Sequence, residues 1–247
     1  MMFFKQFMKL TSTELRLFRR EPIALFFTII FPVFMLFMIM EVFIPAEAPR
    51  DVINYVVPPL MVLIVATAAI FNVPQSIVTY RQIKFLKRLK GSPVAPLTIL
   101  SSIILANFIA TILGIILLTA VAFLHYDATF AGDFLSFLTG FVLVFLSSAA
   151  IFMFIPAVSR SERTVITISQ IIFFPVMFFS GVLMPLDMLP EWIRLYISPY
   201  IPVTYAVELM QELWIGTPLG DLTREVLTLL GILCLGLVIA AYTFQWE

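Results

Sequence analysis

The chain has 247 residues, of which 62% are hydrophobic and 12% charged, with basic and acidic side chains in equal number. A soluble domain averages about 45–50% apolar and about 25% charged residues, so this composition excludes a soluble globular protein and indicates an integral membrane protein. Zero net charge offers no overall attraction to nucleic acid, and the single cysteine, Cys234, excludes a disulfide within the chain.

Residues 1–21 are expected to form an amphipathic helix, neither a span nor a cleaved signal peptide. Lys5, Lys9, Ser12, Arg16 and Arg20 make one stripe at helical steps, and Phe4, Phe7, Met8, Leu15 and Phe18 make another. A basic helix with a Phe-rich face lies along a membrane surface; packing on a partner subunit would need the same pattern.

Six transmembrane helices are expected, at about 23–44, 55–79, 97–124, 134–158, 165–184 and 226–244. Each is long enough to cross about 30 Å of hydrocarbon at 1.5 Å per residue. Pro22 stands just inside the first span, where proline is tolerated. Pro32 should kink that span by removing a backbone hydrogen bond. The second span has Pro58 and Pro59 near one end and Pro74 near the other.

The second and third spans are joined by YRQIKFLKRLKGSP, residues 80–93. It carries Arg81, Lys84, Lys87, Arg88 and Lys90 and no acidic residue. Such a run cannot cross hydrocarbon and must lie at a membrane surface. Arg81, Lys84 and Arg88 fall at i, i+3 and i+7, while Ile83, Leu86 and Leu89 fall on another side. This spacing predicts a short amphipathic helix over 80–91, stopped by Gly91 and Pro93. By charge alone it is either a loop that sets orientation or a docking element for a soluble partner.

Residues 185–225 read differently. Pro185, Pro190, Trp192, Tyr196, Pro199, Tyr200, Pro202, Tyr205 and Trp214 make the stretch too broken to span and too apolar for a solvated loop. One or two short helices dipping into the interface are expected there, before the last span. The fold class is thus an all-α polytopic membrane protein, one transmembrane domain over 1–247 with an N-terminal interfacial helix and a re-entrant segment.

Orientation follows from counting. Five basic residues before the first span, the five of residues 80–93, and Arg160 and Arg163 make twelve of the fifteen Lys and Arg, all on one side. Arg50, Arg194 and Arg224 fall on the other. The positive-inside rule places both termini in the cytoplasm.

No catalytic or metal constellation is evident. The one histidine, His125, leaves no His cluster or triad within the chain, and no GxxxxGK[ST] phosphate loop is present. The spans hold almost no ionisable residue of the kind an ion-driven transporter places at mid-membrane. Their polar groups include Asn72, Asn107 and Gln170, which serve either as interhelical hydrogen bonds or as a substrate path. A membrane component worked by a soluble subunit fits, and so does a non-transporting scaffold.

Two segments carry a family resemblance. In the first, Arg81, Lys87, Arg88, Leu89, Ser92, Pro93 and Val94 follow a pattern of arginine, a basic-Leu step and Ser-Pro-Val. In the second, FFPVMFFSGVLMPLDMLPEWIRLYISPYIPVTYAVELM, the marks are Phe174 and Pro175, Ser180 to Val182, Pro185, Leu189 and Pro190, Trp192, and Pro202 to Tyr205. With the Arg19, Arg20, Glu21, Pro22 entry to the first span, the chain resembles ABC-2 type transporter permeases of the multidrug and daunorubicin-resistance kind. The resemblance implies an exporter of lipophilic drugs or lipid-like molecules, with polysaccharide or lipid-linked glycan export as the alternative. It implies no catalytic residue in this chain, ATP and Mg held by a separate ABC ATP-binding subunit, a second permease copy (identical or paralogous) and a cell-membrane location. It also makes residues 80–91 the coupling helix, with Arg81, Lys84, Lys87, Arg88 and Lys90 facing the ATPase. The chain departs from the pattern at Gln82, where the family usually has Glu, and at Phe85, where Gly is common.

Overall fold

The computed structural model describes residues 2–45, 47, 49, 51–84 and 96–243. These residues form helices and turns with no strand among them. Helix α1 (Met2–Phe18) is followed by six helices long and apolar enough to cross a membrane. Span one is Pro22–Phe43, span two Val52–Gln82, span three Leu97–His125, span four Phe134–Val158, span five Glu162–Phe179 and span six Thr223–Tyr242. The chain is an all-α, multi-pass membrane protein.

Span two is the axis of the bundle. In its most apolar stretch 83% of the residues are buried within the protein, against 17% for span one and 11% for span six. All three are apolar around their whole circumference, so periodicity does not distinguish the central helix from those facing lipid. Small residues help span two fit: Ala66, Ala68 and Ala69 are buried among Leu63, Ile64 and Ile70, as expected where helices pack closely in a bilayer. Spans four and six approach closely at Gly236, where a Cβ would sit 2.5 Å from the backbone of Ala150.

Pro32 in span one and Pro59 and Pro74 in span two each leave the carbonyl four residues earlier without its usual donor. Neighbouring segments meet those carbonyls, the arrangement a bilayer interior demands. Span one contains a wide π-type turn at Phe26–Ile30, immediately before Pro32, and span two contains one at Ala68–Asn72, immediately before Pro74. The Ile70 carbonyl, four residues before Pro74, accepts from Ser169 Oγ of span five at 2.6 Å. The Tyr55 carbonyl, four before Pro59, accepts from Gln211 Nε2 at 3.2 Å. The Thr28 carbonyl, four before Pro32, lies against Gly114 of span three, so close that a Cβ there would sit 2.6 Å from the oxygen.

Helix α1 lies against span three with Leu10, Thr11, Glu14 and Phe18 turned inward, while Lys9, Arg16, Arg19 and Arg20 are exposed. The face that docks therefore only partly coincides with the Phe-rich stripe expected from the sequence: Phe7, Leu15 and Phe18 are half-buried and Met8 is exposed. It includes Thr11 and Glu14, which are 4% and 7% exposed.

After span five the chain turns at Gly181, whose φ of 88° belongs to the left-handed region. Two further helices follow, α2 (Glu191–Tyr196) and α3 (Pro202–Ile215). Helix α3 packs on spans two, four and six. Trp214, expected from the sequence as an interfacial aromatic, is 2% exposed and packs edge-on against Phe130 and Phe137. Asp133 caps span four by accepting from the Ser136 amide at 2.7 Å, which holds its carboxyl below the usual range.

The basic stretch differs from its expected form at its start. Residues 80–82 do not open a separate helix; they are the last turn of span two, which ends at Gln82. Lys84 then takes a left-handed conformation, φ 54°, which interrupts any continuous helix over 80–91. Lys87, Arg88 and Lys90 lie outside the described residues.

Candidate functional site

Three successive residues at the end of span two each reach a different element. The Thr79 hydroxyl donates to Glu162 Oε1 at the start of span five, 2.7 Å away. The Tyr80 hydroxyl donates to the Glu14 carboxylate of α1. Arg81 Nη1 donates to the Pro156 carbonyl at 2.9 Å and to the Ser159 carbonyl at 3.4 Å, at the end of span four. Successive helical residues point about 100° apart, so one turn of span two fans out to three neighbours. A guanidinium is suited to the last role, because the final carbonyls of a helix lack amide partners and carry its negative dipole end.

Burial raises the Glu14 carboxyl above the ordinary value of 4.5; the Tyr80 hydrogen bond opposes this and nearby Glu21 adds to it. Glu21 is raised by burial too, and by Glu162. At the other end of the bundle, burial and the hydrogen bond to Glu41 push Tyr126 up to about 12. Glu208 on α3 is raised by burial against the opposing pull of Arg224, whose guanidinium lies 5.5 Å from the Tyr205 ring centre.

A cleft opens beside the fan, between α1 and spans two and three. It is lined by Glu14, Glu21, Asn72, Tyr80 and Asn107 among others, and its volume is about 50 Å³. That holds a few waters; a drug-sized ligand needs several hundred Å³. The π-type turns at Phe26–Ile30 and Ala68–Asn72 meet just above it, where Asn72 Nδ2 donates to Thr28 Oγ1 at 3.1 Å. Such turns interrupt regular helical bonding and commonly mark places where a helix flexes or works.

The residues singled out in the sequence separate accordingly. Asn72 and Asn107 share the cleft. Gln170 is exposed on the outward stripe of span five, beside Ile166 and Phe174, away from both. Arg81 is half-buried and engaged with span four, and Lys84 is exposed one turn beyond it. Sequence reasoning missed Glu14, Tyr80 and Ser169. Glu14 had a signal, being the only acid among residues 1–20; Tyr80 and Ser169 had none without their partners. Among the described residues no grouping of His, Cys, Asp or Glu is arranged to hold a metal.

Residues 5–214 match the family model described as ABC-2 type transporter. The chain belongs to the ABC-2 type transporter family. No curated protein matches it. The match runs from α1 through α3 and so includes the fan at Thr79 to Arg81, the cleft and the π-type turns before Pro32 and Pro74. An ABC-2 permease is the transmembrane component of an ABC-type transporter, and membership implies partnership with an ABC ATP-binding subunit.

Proposed function

We propose that this permease exports a lipophilic drug or lipid-like substrate, driven by ATP and Mg held in the separate ATP-binding subunit. The observation that carries the reading is the fan of contacts from Thr79, Tyr80 and Arg81, directly before the basic stretch. A force applied at that stretch reaches span five, α1 and span four within one helical turn. On this reading Lys84, Lys87, Arg88 and Lys90 dock the ATPase, and Arg81 transmits the load from the docked segment to span four. Gln82 removes a negative charge from that surface, which favours an acidic partner face.

Orientation rests on the basic residues. Arg16, Arg19, Arg20, Arg81, Lys84, Arg160 and Arg163 gather at the α1 end of the bundle, and Arg194 and Arg224 stand at the opposite end. We assign the α1 end and both termini to the cytoplasm and the protein to the cell membrane. A second permease copy completes the path, with Asn72 and Asn107 on the substrate's route and Gln170 at the lipid-facing or subunit-facing surface. The π-type turns before Pro32 and Pro74 are the points at which spans one and two bend as ATP drives the two states apart.

The test is purification from mild detergent with mass spectrometry and an ATPase assay of what accompanies the permease. The expected result is a P-loop subunit at one copy per permease. A dimeric permease that brings down no such subunit, even from membranes overexpressing the candidate ATPase, would reject the proposal.

A further inference from the structure

The cleft beside Tyr80 has a chemical character that the coupling role does not use. Asn107 is 6% exposed, and its Nδ2 donates to the Ile103 carbonyl at 2.9 Å. A carbonyl only accepts, so that end of the amide is the nitrogen and the other end is the oxygen. Asn107 Oδ1 is buried with no hydrogen-bond partner, and a buried acceptor left unmade costs about 1–3 kcal/mol. Asn72 has committed its amide nitrogen to Thr28, which leaves its oxygen for the cleft.

Two carboxylates, Glu14 and Glu21, complete the wall, and the described lining contains no lysine or arginine. Glu14 is 7% exposed and has no cation within ion-pair distance among the described residues. The hydroxyls of Thr79 and Tyr80 in the lining are spent on Glu162 and Glu14, so the site offers mainly acceptors and negative charge, with the Ser76 hydroxyl beside them, around a space of about 50 Å³. Its rim is apolar, formed by Leu17 and Phe18 of α1, with Leu17 42% exposed.

We propose that this cleft binds the primary ammonium head of an amphiphilic amine, with Asn107 Oδ1, Asn72 Oδ1 and the Glu14 carboxylate accepting its N–H groups and its alkyl tail lying along Leu17 and Phe18. The volume admits the head and leaves the tail outside. An ammonium supplies three donors and a positive charge, which complements the amide oxygens and carboxylates of the lining. A trimethylated head supplies the charge without donors and leaves those acceptors unmet. The proposal deepens the export reading, on which the cleft opens toward the cytoplasmic leaflet. The amine has two sources, a free long-chain amine or the head group of an aminophospholipid.

The experiment uses the full-length permease in phosphatidylcholine nanodiscs, with no ATPase present, and titrates dodecylamine and dodecyltrimethylammonium by calorimetry at neutral pH. Saturable binding of dodecylamine is expected, at least tenfold tighter than that of the trimethylated analogue. Glu14→Gln keeps the side-chain shape and the acceptor for Tyr80, and Asn107→Leu removes the unpaired oxygen; each should weaken dodecylamine binding at least tenfold. Nanodiscs containing phosphatidylethanolamine separate the sources: competition assigns the site to the lipid, and undiminished dodecylamine binding assigns it to a free amine. Equal affinity for the two amphiphiles, or binding within twofold of wild type in the well-folded Glu14→Gln protein, would overturn the proposal. Because no ATPase is involved, that failure leaves the export reading standing, and a missing ATPase partner leaves the amine site standing.

Discussion

Ser169 Oγ stands 2.6 Å from the carbonyl oxygen of Ile70, the oxygen whose helical donor Pro74 cannot supply. A residue on span five thus completes a hydrogen bond that the sequence of span two makes impossible within its own helix. Both partners are fully buried. Ser169→Ala leaves the oxygen stranded and should cost about 1–2 kcal/mol, between the values for interhelical bonds in bilayers and for stranded buried acceptors. Thermal melting of the detergent-solubilised protein checks this, at about 2–4 °C for each kcal/mol. An unchanged melting temperature would mean the Ile70 carbonyl has another donor.

Two glycines within spans make a paired prediction of opposite sign. A Cβ on Gly114 would meet the Thr28 carbonyl oxygen at 2.6 Å, whereas one on Gly231 meets nothing within 4 Å. Gly114→Ala should force spans one and three apart, disturb the Asn72–Thr28 bond and cost about 1–3 kcal/mol, the usual range for overpacking. Gly231→Ala should be neutral or stabilise by about 0.5–1 kcal/mol, since glycine weakens a helix interior. The two melting curves should shift in different directions.

Stability should depend on pH through Glu14. Its carboxyl is raised in the folded protein, so between its unfolded and folded values the folded state holds the extra proton. The contribution is then fully present below the ordinary value of 4.5 and is lost as pH rises through the folded value. Glu21 acts with the same sign. The protein should melt higher at pH 5 than at pH 8, and Glu14→Gln should reduce that difference chiefly by raising the value at pH 8. A mutant whose pH dependence matches wild type would place the titration elsewhere.

Charge reversal in the basic stretch tests coupling. The double substitution Lys87→Glu, Arg88→Glu should leave membrane insertion and melting temperature unchanged, since both lie beyond the end of span two. Transport should fall at least tenfold, and the ATPase should hydrolyse ATP without responding to the permease. Transport at the wild-type rate in vesicles loaded with ATPase would remove the docking role.

Tyr80→Phe separates the fan from the docking surface. It deletes only the hydroxyl that reaches Glu14. ATPase binding should be retained while transport per ATP hydrolysed falls several-fold, read from parallel assays on the same vesicles. Equal stoichiometry in mutant and wild type would show that α1 carries no part of the stroke.

The sequence alone determined that the chain lives in a membrane, crosses it six times and gathers its positive charge at one side. These properties depend on composition, on the length of hydrocarbon to be crossed and on the expense of burying charge, all of which are local and readable in order. The prolines were legible as interruptions for the same reason. Which span lies at the centre was not legible, because spans two and six have the same mean hydropathy and span one only a higher one, and only packing separates a helix buried within protein from one facing lipid. The docking face of α1 was legible only in part, because a two-stripe pattern does not show that Glu14 and Thr11 find protein partners on span two and within α1 itself. Tertiary structure alone decided which neighbours Thr79, Tyr80 and Arg81 reach, and that Asn72 and Asn107 share a cleft while Gln170 does not. Hydrogen bonds between residues 44 to 99 positions apart depend on how helices are arranged around one another, and that arrangement is settled by close packing across the whole bundle rather than by any one stretch of chain.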